Sequence, residues 1–404
     1  MKILQINQNY QFGSTGRIMK EINDTIIANG HEGYMLCAFS YQEAPNLYVM
    51  SKLPVWLAVR ITFFIHRLTG LTGYRSMSTT KRAINFIDKC NPDIVHLHNI
   101  HGDWINLKLL FKYLKYKNIP IVWTLHDCWS FTGRCSHFEN TGCYKWKEEC
   151  HNCPNRYVFP RTYFFDFSRK MYHDKKKWFL GLNKVEIVTP SQWLGNYVKN
   201  SFLGTYNIKT INNGIDLGQF RIYNTRSKYL KNVWNKRIIL GVSSTWTPEK
   251  GLPDLLKLNE IIDRDRYQIV IVGLNNTQLR KLPNTIIGIG RTRNVSEMAE
   301  LYSNADVFVN PTYQDNYPTV NLEAIACGTP VVTYNTGGSV ESVTEEVGMV
   351  TEKGNIIELK NAIEEICDKS LFSKQICRDY ALKHFAKEDR YNDYMVIYKN
   401  IIEE

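Results

Sequence analysis

Residues 310–332 read NPTYQDNYPTVNLEAIACGTPVV, and they carry two carboxylates, Asp315 and Glu323, eight residues apart. The run that leads into them, ADVFVNPT, is β-branched and aromatic and predicts a buried strand. Apolar residues at helical spacing follow between Pro318 and Gly328, and then PVVTY resumes strand character. The stretch therefore predicts a strand, a loop, a helix and a second strand.

The predicted helix begins beyond the carboxyl end of a strand, where backbone N–H groups and the helix dipole attract phosphate. Asp315 would lie in the loop and Glu323 just inside the helix. Carboxylates accept hydrogen bonds from sugar or ribose hydroxyls, whereas the nearby N–H groups suit a diphosphate. The stretch alone also allows a plainer alternative, in which Glu323 complements the helix dipole and Asp315 is a solvated turn residue.

Composition narrows the class of protein. A chain of 404 residues with 44% hydrophobic composition can form two or more domains with large cores. It has no run of roughly 18 uncharged apolar residues and no signal-peptide layout, so we expect a cytoplasmic protein. Its ten cysteines then argue against a disulfide scaffold. The net charge of +11 indicates an acidic partner: a nucleotide, a nucleic acid or an anionic membrane surface.

Strand and helix patterns alternate along the chain. One series runs from KILQINQN to IKTINNGI and another from RIILGVSS to PVVTYNT. This alternation predicts an α/β protein with two doubly wound, Rossmann-like halves. We set the first domain at 1–217, with a cysteine-rich insertion at 128–160, and the second at 218–387. A last helix over 388–404 has tyrosines on one face, which needs a surface to lie on.

Segment 52–76 has a helical pattern rich in Trp, Phe and Leu, and Arg60, His66 and Arg67 occupy the remaining positions. A basic helix with a broad apolar side can lie in a membrane interface or cover a groove for a lipid-linked substrate. A core-packed helix with a solvated basic edge fits the same pattern.

Two βα turns have features of a phosphate site. Gly13 and Gly16 lie between the first strand and the first helix, where small residues let the backbone approach a phosphate. In the second half, Lys250 precedes Gly251 at the start of a helix and can reach a diphosphate. The alternatives are glycines needed for turn geometry and a solvated lysine.

Histidines follow two strands of the first half. His126 ends the strand IPIVWTL, the usual location of functional groups in open α/β sheets. His96, His98 and His101 lie at or after an earlier strand, whose alternating faces keep them from converging as metal ligands. We therefore take His126 first, then His98 and Asn99, as site candidates.

These motifs together resemble the family 4 retaining glycosyltransferases of GT-B architecture, which have two Rossmann-like domains facing across a nucleotide-sugar cleft. The family signature has two acids eight residues apart in EGFG…LEAMACGxPVI, and DNYPTVNLEAIACGTPVV aligns with it without a gap. The Lys250-Gly251 pair, NNGID at 212–216 and the strand-end His126 also match. The similarity spans nearly the whole chain.

The resemblance implies a role for each matched residue. Asp315 would hold hydroxyls of the donor sugar, and His126 would contact that sugar near the reacting centre. Glu323 would bind the ribose, and the last helix would pack on the first domain. The implied donor-binding residues are Gly16, Lys250, Asn316, Tyr317, Pro318, Thr319, Val320 and Glu323.

The chain departs from the family pattern at two places. The first acid of the pair is normally Glu, and here it is the shorter Asp315. The family also has an arginine five or six residues before its lysine, where this chain has Ser244 and Thr245. Neutralising the diphosphate then depends on the lysine, the helix N-terminus, or Arg291 and Arg293.

Four cysteines, Cys135, Cys143, Cys150 and Cys153, lie in the polar insertion and end in a CxxC motif. Four thiolates suit a structural tetrahedral zinc, which would order a segment without a core of its own. Reduced free thiols and disulfides are the alternatives. Similar insertions occur in glycosyltransferases that resemble those of capsule and exopolysaccharide pathways.

The expected activity is transfer of a hexose, with retention, from a UDP- or GDP-sugar to a glycan or polyprenyl-diphosphate-linked acceptor of a surface polysaccharide. The family chemistry uses fixed positive groups and no catalytic metal, so we interpret the DRD motif at 263–265 as a solvated turn. For the location of the protein, the sequence leaves open peripheral binding at the inner face of the cytoplasmic membrane.

Two other functions are consistent with parts of the sequence. A sugar-nucleotide epimerase on the same architecture would need further catalytic carboxylates, and the chain has no convincing set of them. A zinc-ordered basic nucleic-acid-binding protein would explain the charge and the cysteines, but it leaves the paired acids unexplained. The basic residues are also dispersed, so we expect no nucleic-acid partner.

Overall fold

The computed structural model describes residues 1–11, 13–51, 57, 64, 67, 68, 70–157 and 161–403. The chain divides into two compact units, one formed by Met1–Asn212 with Tyr391–Glu404 and the other by Asn213–Arg390. Each unit contains one parallel sheet, which confirms the predicted pair of Rossmann-like folds. Most of segment 52–76, including Arg60 and His66, lies outside the described residues, and so does the helix predicted there.

The described part of the first unit has a parallel sheet of seven strands. They are β1 (Lys2–Asn9), β2 (Glu32–Phe39), β3 (Leu47–Val49), β4 (Ile94–Leu97), β5 (Ile121–Thr124), β6 (Val185–Thr189) and β7 (Asn207–Thr210). Their spatial order is β3-β2-β1-β4-β5-β6-β7, so the order reverses between β1 and β4. Open α/β sheets bind ligands beyond the carboxyl ends of the strands at such a reversal.

The sheet of the second unit repeats this plan. Its described strands are β8 (Arg237–Val242), β9 (Tyr267–Val272), β10 (Ile287–Ile289), β11 (Val307–Asn310), β12 (Val331–Tyr334) and β13 (Gly348–Thr351). They are parallel in the order β10-β9-β8-β11-β12-β13, with the reversal between β8 and β11. The short edge strands β3 and β13 were not predicted.

Helices connect most of the successive strands in both units. The first unit has α1 (Gly13–Ala28), α2 (Met77–Cys90), α3 (Leu107–Lys117), α4 (Ser168–Phe179) and α5 (Gln192–Lys199). The rest of the chain has α6 (Leu252–Ile261), α7 (Asn276–Lys281), α8 (Val295–Asn304), α9 (Thr319–Ala326), α10 (Ile356–Lys369), α11 (Lys374–His384) and α12 (Lys387–Glu403). Within the described ranges, no helix combines the length and apolarity needed to cross a lipid bilayer.

Helix α9 begins and ends where its sequence predicts. Pro318, with φ of −70°, directly precedes its first residue, and Gly328 follows its last turn with φ of +82°. The N–H of Thr329 donates to the carbonyl of Ala324 at 3.0 Å, which pairs a carbonyl that the helix end would otherwise leave open. The strand β11 and the helix α9 therefore form the βα unit that carries both acids of the motif.

The tyrosine face of α12 is buried in the core of the first unit. Tyr391, Tyr394 and Tyr398 are at most 3% exposed and share a cluster with isoleucines of β1 and α1. The hydroxyl of Tyr398 lies 2.6 Å from Nδ1 of His96 in β4. The hydroxyl of Tyr394 lies 3.1 Å from Thr124 Oγ1 in β5. Polar contacts in the core thus accompany the aromatic packing of this helix.

Replacing Tyr398 by Phe should lower the free energy of unfolding of the first unit by about 1–3 kcal/mol, because His96 Nδ1 would stay buried without its partner. Urea unfolding followed by tryptophan fluorescence measures this change. Tyr116 is 83% exposed, so Tyr116→Phe is the matched control and should leave stability unchanged. Equal stability of the two variants would contradict the prediction.

Candidate active site

An ion pair joins two loops at the strand-order reversal of the second sheet. Lys250 follows β8, Asp315 follows β11, and Lys250 Nζ lies 2.6 Å from Asp315 Oδ2. The two side chains are 37% and 21% exposed. A solvent-exposed pair of this kind contributes little to stability. Its position beyond the strand ends indicates a ligand site instead.

Hydrogen bonds to backbone carbonyls connect the loops of this site. The N–H of Tyr313 donates to the carbonyl of Glu249 at 2.8 Å, which connects the loop after β11 to the loop after β8. The hydroxyl of Thr336 donates to the carbonyl of Thr312 at 2.8 Å, which adds the loop after β12. Three adjacent strand ends therefore present one connected surface.

Two glycines let these loops approach one another. Gly251 has φ of +79°, and a Cβ at this position would lie 2.0 Å from the carbonyl oxygen of Pro311. Gly337 has φ of +54°, and a Cβ there would lie 2.1 Å from the carbonyl oxygen of Asp315. Any side chain would separate the loops and displace Asp315. Gly337 was not predicted as a site residue, although the NTGG run after β12 is a turn signal that could have identified it.

Glu323 lies within α9 and is only 6% exposed. The hydroxyl of Tyr302 donates to its Oε2 atom at 3.1 Å inside the unit. A buried carboxylate past the first helical turn does not fit the alternative in which Glu323 is a surface residue that complements the helix dipole. Tyr302 was not predicted because nothing in the sequence connects α8 to the acidic motif.

The residues between the two acids form the entry to α9. The N–H of Asn316 donates to Asp315 Oδ1 at 2.9 Å, and the amide of Asn213 donates to the carbonyl of Tyr317 at 3.1 Å. Burial raises the pKa of Tyr317, so its hydroxyl stays neutral. Pro318 directly precedes the helix, and Thr319 and Val320 are its first two residues.

The remaining charged candidates of the second unit lie elsewhere. Arg291 and Arg293 are exposed in the loop after β10, two strands away from β8. Asp263 and Asp265 are exposed in the turn before β9, at the end of the sheet opposite to the ion pair. A role for Arg291 or Arg293 in place of the family arginine therefore stays a prediction.

Gly16 lies in the first turn of α1, and its neighbourhood is tightly folded. A Cβ on Gly16 would lie 3.0 Å from the amide nitrogen of Gln11 and 3.1 Å from the carbonyl oxygen of Asn9. The N–H of Gln11 donates to the carbonyl of Gly16 at 3.2 Å. These contacts account for a glycine by turn geometry, and its phosphate role stays a prediction.

The first unit brings two histidines together at the ends of β4 and β5, beside its own strand-order reversal. His98 follows β4, His126 follows β5, and His98 Nδ1 lies 3.2 Å from His126 Nε2. Burial lowers the pKa of His98 well below its ordinary value and that of His126 to about 4. Both imidazoles are therefore neutral at neutral pH. The N–H of Asn99 donates to the side chain of Asn7 at 3.2 Å, next to this pair.

Asp127 lies beside the histidine pair. Its Oδ1 accepts the N–H of Trp129 at 2.8 Å, and its Oδ2 lies 3.3 Å from His101 Nε2. Burial by itself raises the pKa of Asp127, but His101 and the Trp129 N–H outweigh that effect and bring it below its ordinary value. The carboxylate is therefore ionised.

The four cysteines of the insertion line one small cavity. A hydrogen bond with Cys153 lowers the pKa of the Cys135 thiol to about 6, and the N–H of Gly133 donates to Cys150 Sγ at 3.1 Å. Among the described residues, however, no group of three or more His, Cys, Asp or Glu side chains has a geometry that could hold a metal ion. The donor set is therefore not assembled, and the zinc site stays a prediction.

Known proteins with a similar fold identify the class. Sucrose-phosphate synthase of Thermosynechococcus elongatus superposes with a TM-score of 0.71 at 16% identity, over 100% of this chain and 99% of its own. Anabaena HepE, in a complex with UDP-glucose, gives a TM-score of 0.66 at 16% identity, over 99% of this chain and 100% of its own. The fold is that of a GT-B glycosyltransferase, as predicted.

Family models identify the protein more closely. Residues 226–384 match the model described as glycosyl transferases group 1, and residues 15–219, more than half of the chain, match that of glycosyltransferase family 4. The chain belongs to glycosyltransferase family 4. WcaC of Escherichia coli (strain K12), named as a colanic acid biosynthesis glycosyl transferase, is 21% identical over 418 residues, covering 99% of this chain and 100% of the relative.

If the cysteines bind zinc, elemental analysis of the purified protein should find about one zinc ion per chain. Cys150→Ser and Cys153→Ser should each remove most of it, because a site with three thiolates binds less tightly. Cys90 lies outside the insertion, so Cys90→Ser is the control and should keep the metal. A zinc content far below one ion per chain in the unmodified protein would reject the site.

Proposed function

We propose that this glycosyltransferase transfers a hexose from a UDP- or GDP-sugar, with retention, to a glycan or polyprenyl-diphosphate-linked acceptor in surface polysaccharide biosynthesis. The observation that carries the proposal is the Lys250–Asp315 pair beside the N-terminus of α9. A cation, a carboxylate and the N-terminal end of a helix next to one another suit the two halves of a sugar diphosphate. The UDP-glucose complex of HepE and the polysaccharide name of WcaC support the same reading.

In this proposal each end of the donor has its own partners. The diphosphate binds Lys250 and the first turn of α9, and a phosphate role for the Gly16 loop of the first unit stays a separate prediction. The sugar hydroxyls donate to Asp315, and the ribose hydroxyls donate to Glu323. His126 contacts the sugar near the reacting carbon. Without ligand, Lys250 and Asp315 neutralise each other, and the bound donor supplies a separate partner to each.

The leaving diphosphate gains negative charge as the glycosidic bond to it breaks. Positive groups and helix N–H donors that are already in place stabilise that charge without rearranging, which lowers the barrier. We propose that Lys250 and α9 do this without a catalytic metal. The connected loops after β8, β11 and β12 support this role, because they hold both groups in position before the donor binds.

Lys250→Ala should lower kcat/KM for transfer by about 10²–10³-fold, since it removes a charge that faces the leaving group. Glu323→Gln should mainly raise the KM for the donor, because it weakens a ground-state contact with the ribose. The assay is nucleotide release from a panel of UDP-, GDP- and ADP-sugars by purified protein.

Lys257 is exposed on α6, and Lys257→Ala is the matched lysine control. Thermal unfolding of each variant separates lost binding from lost folding. Lys250→Ala turnover equal to that of Lys257→Ala would contradict the assignment of the donor site.

We further propose that the protein is cytoplasmic and binds an anionic membrane surface through an aromatic and basic patch. Tyr163, Phe164 and Phe165 are 43%, 66% and 55% exposed, and Arg161 next to them is exposed. The N–H of Tyr163 donates to the carbonyl of Arg67 at 3.2 Å, which adds a second arginine to the patch. Consecutive exposed aromatic residues beside arginines are typical of membrane-interface binding.

The protein should co-sediment with vesicles that contain anionic lipid, and salt should weaken this binding. Phe164→Ser with Phe165→Ser should reduce it further, because the aromatic anchors are lost. Tyr116→Ser changes an exposed aromatic residue of α3 and is the control. A lack of vesicle binding at low salt, or equal binding by the double variant and the unmodified protein, would rule out this surface.

A further inference from the structure

A buried glutamine begins a chain of hydrogen bonds that leads to His126. Gln5 lies in β1 and is fully buried, and its Nε2 donates to the carbonyl of Met19 at 2.9 Å. Because a carbonyl can only accept, this contact fixes which way the amide faces. Gln5 Oε1 is then the atom that lies 3.0 Å from His98 Nε2.

The fixed amide determines the tautomer of His98. An amide oxygen only accepts, so His98 Nε2 must carry the proton. A neutral imidazole has one N–H, which leaves His98 Nδ1 as an acceptor. That nitrogen lies 3.2 Å from His126 Nε2, so His126 Nε2 must be the donor. His126 Nδ1 consequently carries no hydrogen and can only accept.

The surroundings keep both rings neutral. Burial lowers the pKa of each, to about 4 for His126, and only Asp127 acts in the opposite direction on that residue. His101 lowers the pKa of His126 further, and His96 lowers that of His98. The chain from Gln5 to His126 therefore has one consistent arrangement of protons at neutral pH.

His96 provides an internal comparison. It lies two residues before His98 and is equally buried, but its partners are the hydroxyls of Tyr398 at 2.6 Å and Thr124 at 2.8 Å. Hydroxyls can donate or accept, so these contacts allow either tautomer of His96. Both ring nitrogens of His96 can therefore be paired whichever of them carries the proton. The acceptor-only oxygen of Gln5 is what makes the His98 contact directional.

We propose that Gln5 and His98 are positioning residues that hold His126 in the tautomer with an unprotonated Nδ1, which accepts a hydrogen bond from a hydroxyl of the substrate sugar. The inference rests on the proposed function for the identity of that hydroxyl. It implies that the sugar donates at this contact. A sugar analogue without the hydroxyl would lose the hydrogen bond, and one with fluorine in its place would bring two acceptors together.

The tautomer can be measured in the unmodified protein by NMR with 15N-labelled histidine. The His126 signals are identified by their loss in His126→Gln. We expect the Nδ1 shift of an unprotonated nitrogen and the Nε2 shift of a protonated one. A proton on Nδ1 in the wild-type protein would overturn the inference whether or not the protein transfers sugar.

Variants of His98 test the functional consequence. His98→Phe removes the acceptor that faces His126, and it should shift the His126 signals towards the other tautomer and lower kcat/KM about tenfold, the value of one hydrogen bond. In His98→Asn the amide oxygen can still accept at the Nδ1 position, so this variant should restore both the signals and most of the activity.

His96→Phe is the matched control, because it removes a buried histidine two residues earlier that has no hydrogen bond to His126. Its thermal stability should fall at least as far as that of His98→Phe, while its activity and the His126 signals stay near wild type. Equal activity losses in the two variants would overturn the positioning role. Unchanged transfer in Lys250→Ala would instead contradict the donor site and leave the NMR result valid.

Discussion

The second unit depends on one topological constraint, the reversal of strand order between β8 and β11. Parallel strands all end at the same edge of a sheet, so the loops that follow β8 and β11 meet there although their sequences are far apart. Lys250 and Asp315 form their ion pair across that junction. Glycines at 251 and 337 let the loop backbones approach closely enough for the pair to form. The same loops are joined by hydrogen bonds to backbone carbonyls, which prepares the site before any ligand binds.

The first unit has a strand-order reversal of its own, and buried polar groups lie beside it. Burying an imidazole or an amide costs free energy unless each polar atom is paired, and here the pairs extend from strand to strand. His96 is satisfied by hydroxyls from α12 and β5, whereas His98 is satisfied by Gln5 and His126. The two histidines are neighbours with different consequences. The hydrogen bonds of His96 stabilise the packing of α12 on the sheet. Those of His98 fix which nitrogen of His126 carries the proton, at the edge of the sheet where ligands bind.

Much of the architecture was predictable because it depends on local pattern. The long strands, the bounds of α9 and the position of the two acids follow from runs of β-branched residues, helical spacing, a proline and a glycine. Gln5, Tyr302 and Gly337 were missed for a physical reason. Each acts on a partner more than 13 residues away in the chain, and no short-range spacing indicates such a contact. The four cysteines line one cavity, and the zinc site predicted from their spacing stays a prediction.

The amino-acid sequence by itself determined the α/β alternation, the two Rossmann-like folds and the acidic motif at a strand–helix junction, because these depend on neighbours along the chain. Only the tertiary structure decided that Lys250 pairs with Asp315, that Glu323 is buried against Tyr302, and which nitrogen of His126 carries its proton. These outcomes depend on strand order and on packing between distant segments, and both are set only when the whole sheet assembles.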